Sequence, residues 1–165
     1  MKAIVITEPG GPEKLALAEV PEPELREGYV LLDVRATALN RADLLQRRGA
    51  YPPPKGETDI LGLECSGVVS RAPAGTSLRE GDRVMALLPG GGYAEKVAIH
   101  EKMAIPIPEG MSFVEAAAIP EAFLTAREAL FTLGRTAPGD VVLIHAAAGG
   151  ECDFVVPRCQ GPPPF

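Results

Sequence analysis

Apolar positions divide the chain into two regimes. Up to about residue 110 they fall in short runs bounded by Gly and Pro, the pattern of β-strands rather than helices. Residues 2–7 (KAIVIT) predict a strand. The Pro9-Gly10-Gly11-Pro12 cluster predicts a turn, and residues 15–20 (LALAEV) alternate as a second strand that Pro21 and Pro23 stop. Residues 29–39 (YVLLDVRATAL) give the longest strand, with Asp33 and Arg35 facing away from Leu32 and Val34. Asn40 can cap a helix over residues 41–48 that carries Leu44 and Leu45 on one side and ends at Gly49. Tyr51 is followed by three prolines, a stiff loop. Residues 63–70, 82–88 and 93–99 predict further strands. Gly90-Gly91-Gly92, between the last two, permits a tight bend or close backbone packing.

The pattern changes near Ser112. Ser112 and Glu115 match a capping box at the head of an Ala-rich helix over 112–118, which Pro120 breaks. Residues 121–133 predict a second helix closed by Gly134. Residues 141–145 (VVLIH) form a continuous apolar run, as in a strand buried on both faces of a parallel sheet. From Glu151 onward there are four Pro in fifteen residues and no helical period. No internal repeat is present.

Composition narrows the function classes. With 165 residues, 46% hydrophobic and 23% charged, the chain suits one globular domain, or one domain and part of another. Its 16 basic and 22 acidic side chains give a net charge of −6, which argues against non-specific nucleic-acid binding. No apolar run approaches the roughly 18 residues of a membrane span, and the first ten residues lack a secretory pattern. Three Cys and two His are too scattered for a disulfide framework or an obvious zinc cluster. A cytoplasmic, reducing setting is expected, with neither nucleic acid nor membrane as partner.

Several segments together carry a resemblance: GGPEKL, ALNRADLLQRRGAYPPP, DILGLECSGVV, GDRVMALLPGGGYAE and EGMSFVEAAAIPEAFLTA. Over residues 1–150 the chain resembles the N-terminal part of the zinc-independent quinone oxidoreductases of the medium-chain dehydrogenase/reductase superfamily, nearest the p53-inducible quinone oxidoreductase-like group. The resemblance implies a mainly β, GroES-like catalytic domain over residues 1–120. It implies the first helix and strand of a truncated Rossmann α/β domain over 121–150, and residues 151–165 are an irregular Pro-rich tail. The family's activity is NADPH-dependent hydride transfer to quinones or α,β-unsaturated carbonyls. The zinc-binding relatives place a thiolate where this chain has Asn40 and an imidazole where it has Leu63, and neither can replace those ligands. No metal is expected.

The resemblance also assigns candidate site residues. Asn40 is a helix cap on its own residue type, and the family places its amide near the nicotinamide. A loop tyrosine ordinarily packs, but the family places Tyr51 at the mouth of the quinone pocket, where its phenol would donate to a carbonyl oxygen gaining charge. Thr125 reads as a helix residue, or by resemblance as a nicotinamide contact. Glu64 reads as structural, Cys65 as a small buried hydrophobe, His100 as a strand-end surface residue and His145 as structural. No catalytic residue is assigned with certainty.

The dinucleotide turn begins at Ala146-Ala147-Ala148 and reaches Gly149 and Gly150, the incomplete cofactor-binding set. A pyrophosphate needs the N-terminus of a following helix. Here Glu151-Cys152-Asp153 follow, which remove the third glycine position and set carboxylates where phosphates would approach. The expectation is a truncated quinone oxidoreductase that does not bind NADPH, its tail reading as a frame shift or truncated gene model. The alternative is a stand-alone GroES-like binding or assembly module. Oligomeric state is left open.

Overall fold

The computed structural model describes residues 1–145. The chain divides after Pro120 into two compact units.

In the first unit, β1 (Lys2–Ile6) and β2 (Leu15–Glu19) pair as an antiparallel hairpin, with Ala3 opposite Ala18. A five-stranded antiparallel sheet follows, built from β3 (Tyr29–Thr37), β4 (Glu64–Arg71), β5 (Arg83–Leu87), β6 (Lys96–His100) and β7 (Ala104–Pro106). Its order is β6-β3-β4-β5-β7. The hairpin is tied to the sheet through an Ala3–Ala94 bridge. There the Ile4 N–H donates to Tyr93 O (2.8 Å) and the Glu95 N–H to Lys2 O (3.0 Å).

Strand alternation assigns the two faces. Val84 and Ala86 of β5 join Val30, Leu32, Cys65 and Val69 in the main core. Met85, between them, points the other way and packs with Ile107 and Ala116. That second face is covered by α2 (Phe113–Ala117). Ser66, also on that side, donates its hydroxyl to Phe113 O at 2.6 Å, so a buried polar group is satisfied by the helix that buries it. The Ser112–Glu115 capping box forms as the spacing predicts.

Some boundaries differ from the sequence expectation. β3 ends at Thr37, not Leu39, because Thr37 pairs with Cys65 near the start of β4 and residues beyond it have no neighbouring strand; Leu39 is 86% exposed. The last long strand begins at Lys96, since residues 93–95 are used in bridging to β1. β7 was not foreseen: three residues containing Pro106 are too short to show alternation.

The largest departure on the core side is α1 (Arg41–Arg47). Its buried residues are Asp43, Gln46 and Arg47, while Leu44 is 40% exposed. The polar side chains bury because they satisfy loop backbone: Gln46 Nε2 donates to Asp59 O (3.1 Å) and Arg47 Nε to Gly10 O (3.1 Å).

α3 (Pro120–Arg127), preceded in the chain by α2, lies in the second unit from Glu121 onward and is continued by a π-helical turn at Glu128–Leu133. Pro120 thus opens the helix rather than only breaking the one before it, as its missing N–H allows at a first turn. Thr136 recaps the widened turn, its hydroxyl donating to Leu130 O at 2.7 Å. Phe123, Ala126, Leu130 and Ile144 pack together. The strand expected over residues 141–145 does not form: no strand lies beside it among the described residues, and a strand exists only by pairing.

Candidate functional site

Asn40 stands at the N-cap of α1 in an extended conformation. Its side-chain Nδ2 donates to Glu64 Oε1 at 2.8 Å, and its backbone N–H donates to Asp43 Oδ2 at 2.7 Å. Both acids are buried, Asp43 3% and Glu64 2% exposed. Asp43 also accepts the Tyr93 hydroxyl on Oδ2 (2.9 Å) and the Gly62 N–H on Oδ1 (3.2 Å). Three donors thus compensate a carboxylate withdrawn from water. The Thr37 hydroxyl donates to the backbone O of Glu64 at 2.7 Å.

This cluster depends on two backbone segments lying almost in contact. The Gly92 N–H donates to Gly62 O (3.0 Å) and the Tyr93 N–H to Leu61 O (2.9 Å). Gly62 has φ +103°, and a Cβ there would come within 2.6 Å of Gly92 Cα. A side chain at Gly62 would therefore push the two segments apart and take Tyr93 away from Asp43. The close-packing reading of the glycine run is what the structure shows.

Electrostatics follow from burial. The Tyr93 phenol is held well above its usual range, first by desolvation and then by the neighbouring charges of Asp43 and Glu64 and by its bond to Asp43, so it stays a hydrogen-bond donor. Burial, aided by the Glu64 charge, pushes the Cys65 thiol up to about 12. That side chain is the small buried hydrophobe expected, not a nucleophile.

An open cleft of about 600 Å³ lies beside the cluster, lined among others by Leu17, Arg35, Thr37, Leu39, Gly92 and Tyr93. All of these belong to the first unit. Neither Asn40 nor Tyr51 lines it.

Of the predicted site residues, Asn40 is the one the structure builds into a cluster. Tyr51 is 45% exposed in the loop after α1. Thr125 is an exposed residue of α3 in the second unit. Gly149 and Gly150 lie outside the described residues. Leu63 is buried at 7% exposure. Glu64, read as structural, is a partner of Asn40. His100 ends β6, accepts the Lys102 N–H at 3.2 Å and meets the Tyr29 ring edge-on at 5.3 Å. His145 is exposed. Sequence reasoning missed Asp43 and Tyr93. The signal for Asp43 was its place three residues after Asn40, the reciprocal half of a capping box. Tyr93 carried none, because its partner lies fifty positions away.

Among the described residues, no three His, Cys, Asp or Glu side chains gather as a group able to hold a metal ion. No helix among them is long and apolar enough to cross a membrane.

Comparison with known proteins gives the context of this site. The alcohol dehydrogenase GroES-like domain family matches residues 26–109. The Synaptic vesicle membrane protein VAT-1 homolog of Danio rerio is 38% identical over 151 residues, 90% of this chain and 31% of that protein. The crystal structure of human synaptic vesicle membrane protein VAT-1 homolog-like protein superposes with a TM-score of 0.90 at 38% identity, over 99% of this chain and 53% of that one. The quinone oxidoreductase of Thermus thermophilus, solved also with NADPH, gives a TM-score of 0.79 at 45% identity, over 94% of this chain and 48% of that one. The chain spans about half the length of these solved structures, and less of the curated relative. With its mainly β sheet, few helices and matched segment, the chain belongs to the alcohol dehydrogenase GroES-like domain family of the medium-chain dehydrogenase/reductase superfamily.

Proposed function

We propose that this chain carries the substrate-side, GroES-like domain of a zinc-independent reductase acting on quinones or α,β-unsaturated carbonyls, in a cytoplasmic setting. The observation that carries the reading is the Asn40–Glu64 hydrogen bond. An amide stands where zinc-binding relatives need a thiolate, and the nearby acid accepts that amide. Leu63 fills the imidazole position as a buried aliphatic side chain. In such a reductase NADPH supplies the hydride. This chain's own contribution is to orient the reacting partners through Asn40 and, on the substrate side, through the Tyr51 phenol.

The purified 165-residue chain is not expected to bind NADPH. Glu151 and Asp153 follow Gly150 at the place where a phosphate-facing helix would start, and like charges repel there. Titration of NADPH against the chain, followed by its fluorescence, checks this. Saturable binding tighter than about 100 µM, worth roughly 5.5 kcal/mol, overturns it. Elemental analysis on the same sample is expected to find well under one zinc per chain.

A second reading has its own support. Met1–Pro120 is a compact unit with its own core, which suits a stand-alone GroES-like binding or assembly module. Binding of a quinone probe with shifts confined to the surroundings of Asn40 and Tyr51 favours the reductase domain. Absence of any such binding favours the module.

A further inference from the structure

We infer that Tyr93 and Asp43 are positioning residues that hold the Asn40 amide in one orientation for the site. The inference rests on the reading of Asn40 as a contact residue, and it deepens that reading by naming what fixes it.

Asn40 is gripped twice, by Asp43 at its backbone N–H and by Glu64 at its side-chain nitrogen. Each acid is in turn tied to a residue lining the open cleft. The Tyr93 phenol donates to the Asp43 carboxylate, and the Thr37 hydroxyl donates to the backbone oxygen of Glu64. The Asn40 NH₂ faces the Glu64 carboxyl oxygen, which accepts from it. The Asp43 carboxylate could rotate about its own side chain if only α1 held it. Tyr93 and the Gly62 N–H come from other segments and fix it from outside the helix. The Tyr93 phenol is suited to that task because it donates its hydroxyl directly to the Asp43 carboxyl oxygen. Neither residue needs to touch a ligand: their effect passes through Asn40.

The test follows the Asn40 side-chain amide by NMR in the full chain. In the wild type it should show one well-dispersed pair of Nδ2 protons in slow exchange with water. Tyr93→Phe, which removes the hydroxyl that holds Asp43 from outside the helix, should loosen the Asp43 grip on the Asn40 backbone N–H, and through it shift this pair and measurably speed its exchange. Backbone amides of Leu32 and Val69 in the main core should keep their protection. Asp43→Asn should act in the same direction. A rapidly averaged Asn40 amide in the wild type overturns the inference without any variant. So does an unchanged Asn40 amide in Tyr93→Phe, which would leave Tyr93 as a brace for its own loop. Failure of the reductase reading is seen separately, as a quinone probe that leaves the Asn40 resonances unmoved.

Discussion

At Cys65 a single side chain reports the integrity of the main core. It has no exposed surface, it faces Val69 and Val84, and burial raises its thiol to about 12 from an ordinary 9.0. The folded state therefore holds the thiol proton more tightly than the unfolded state does. This contribution to stability is fully present below pH 9 and is lost as pH rises from 9.0 toward about 12. In a chain whose other two cysteines are replaced by serine, a thiol reagent at pH 8 is expected to react only as fast as the protein opens. A Cys65 that reacts at the rate of a free thiol without denaturant would contradict this core placement. The bland sequence reading of Cys65 was right because an apolar strand context alone decides it. Asp43 had a local signal, its place three residues after Asn40, but its burial was not legible, because only the fold brings Gly62 and Tyr93 to it.

At the scale of elements, local signals were legible and tertiary ones were not. The Ser112–Glu115 box could be read because both halves lie within one turn. The inward face of α1 could not be. Leu44 invited an apolar face, yet the surfaces that α1 meets are loop carbonyls and amides, and these select Asp43, Gln46 and Arg47. Because the box is local, its contribution can be tested locally. Ser112→Ala should cost about 1 kcal/mol of stability, measured by denaturant unfolding. Glu115 adds a pH signature. The Ser112 hydroxyl and then the Ser112 N–H hold its carboxylate below the ordinary 4.5. The stabilisation is thus present above pH 4.5 and disappears as pH falls through the lower folded value. The acid limb of the stability profile should therefore be shallower in Glu115→Gln than in the wild type, and an unchanged limb would show that the carboxylate gains nothing from its cap.

For the molecule as a whole, the two units differ in how well each covers its apolar side chains. The first buries Val30, Leu32, Cys65, Val69 and Val84 between strands that pair with one another. Among the described residues, the second gathers Phe123, Ala126, Leu130 and Ile144. It leaves Leu133 74%, Val141 97% and Leu143 80% exposed. Residues 141–144 keep the alternation of a strand, with Val142 and Ile144 turned partly inward and Val141 and Leu143 outward, but no strand accompanies them among the described residues. The apolar run was read as a buried strand, and among the described residues it is neither a strand nor buried. The sheet that makes a strand is a property of other residues, so the run could not reveal whether one would be there. Apolar side chains exposed along an unpaired edge invite association. The full chain is therefore expected to bind a hydrophobic dye and to sediment as a mixture of species. Charging the exposed positions, in Val141→Lys with Leu143→Lys, should lower dye binding and shift the mixture toward monomer, because neither side chain contributes to the packed residues. Residues 1–120 expressed alone should melt cooperatively and bind less dye than the full chain, since the main core lies within that unit. Strong dye binding by residues 1–120, or no change in the doubly charged variant, would move the exposed apolar surface elsewhere and refute the division of stability between the two units.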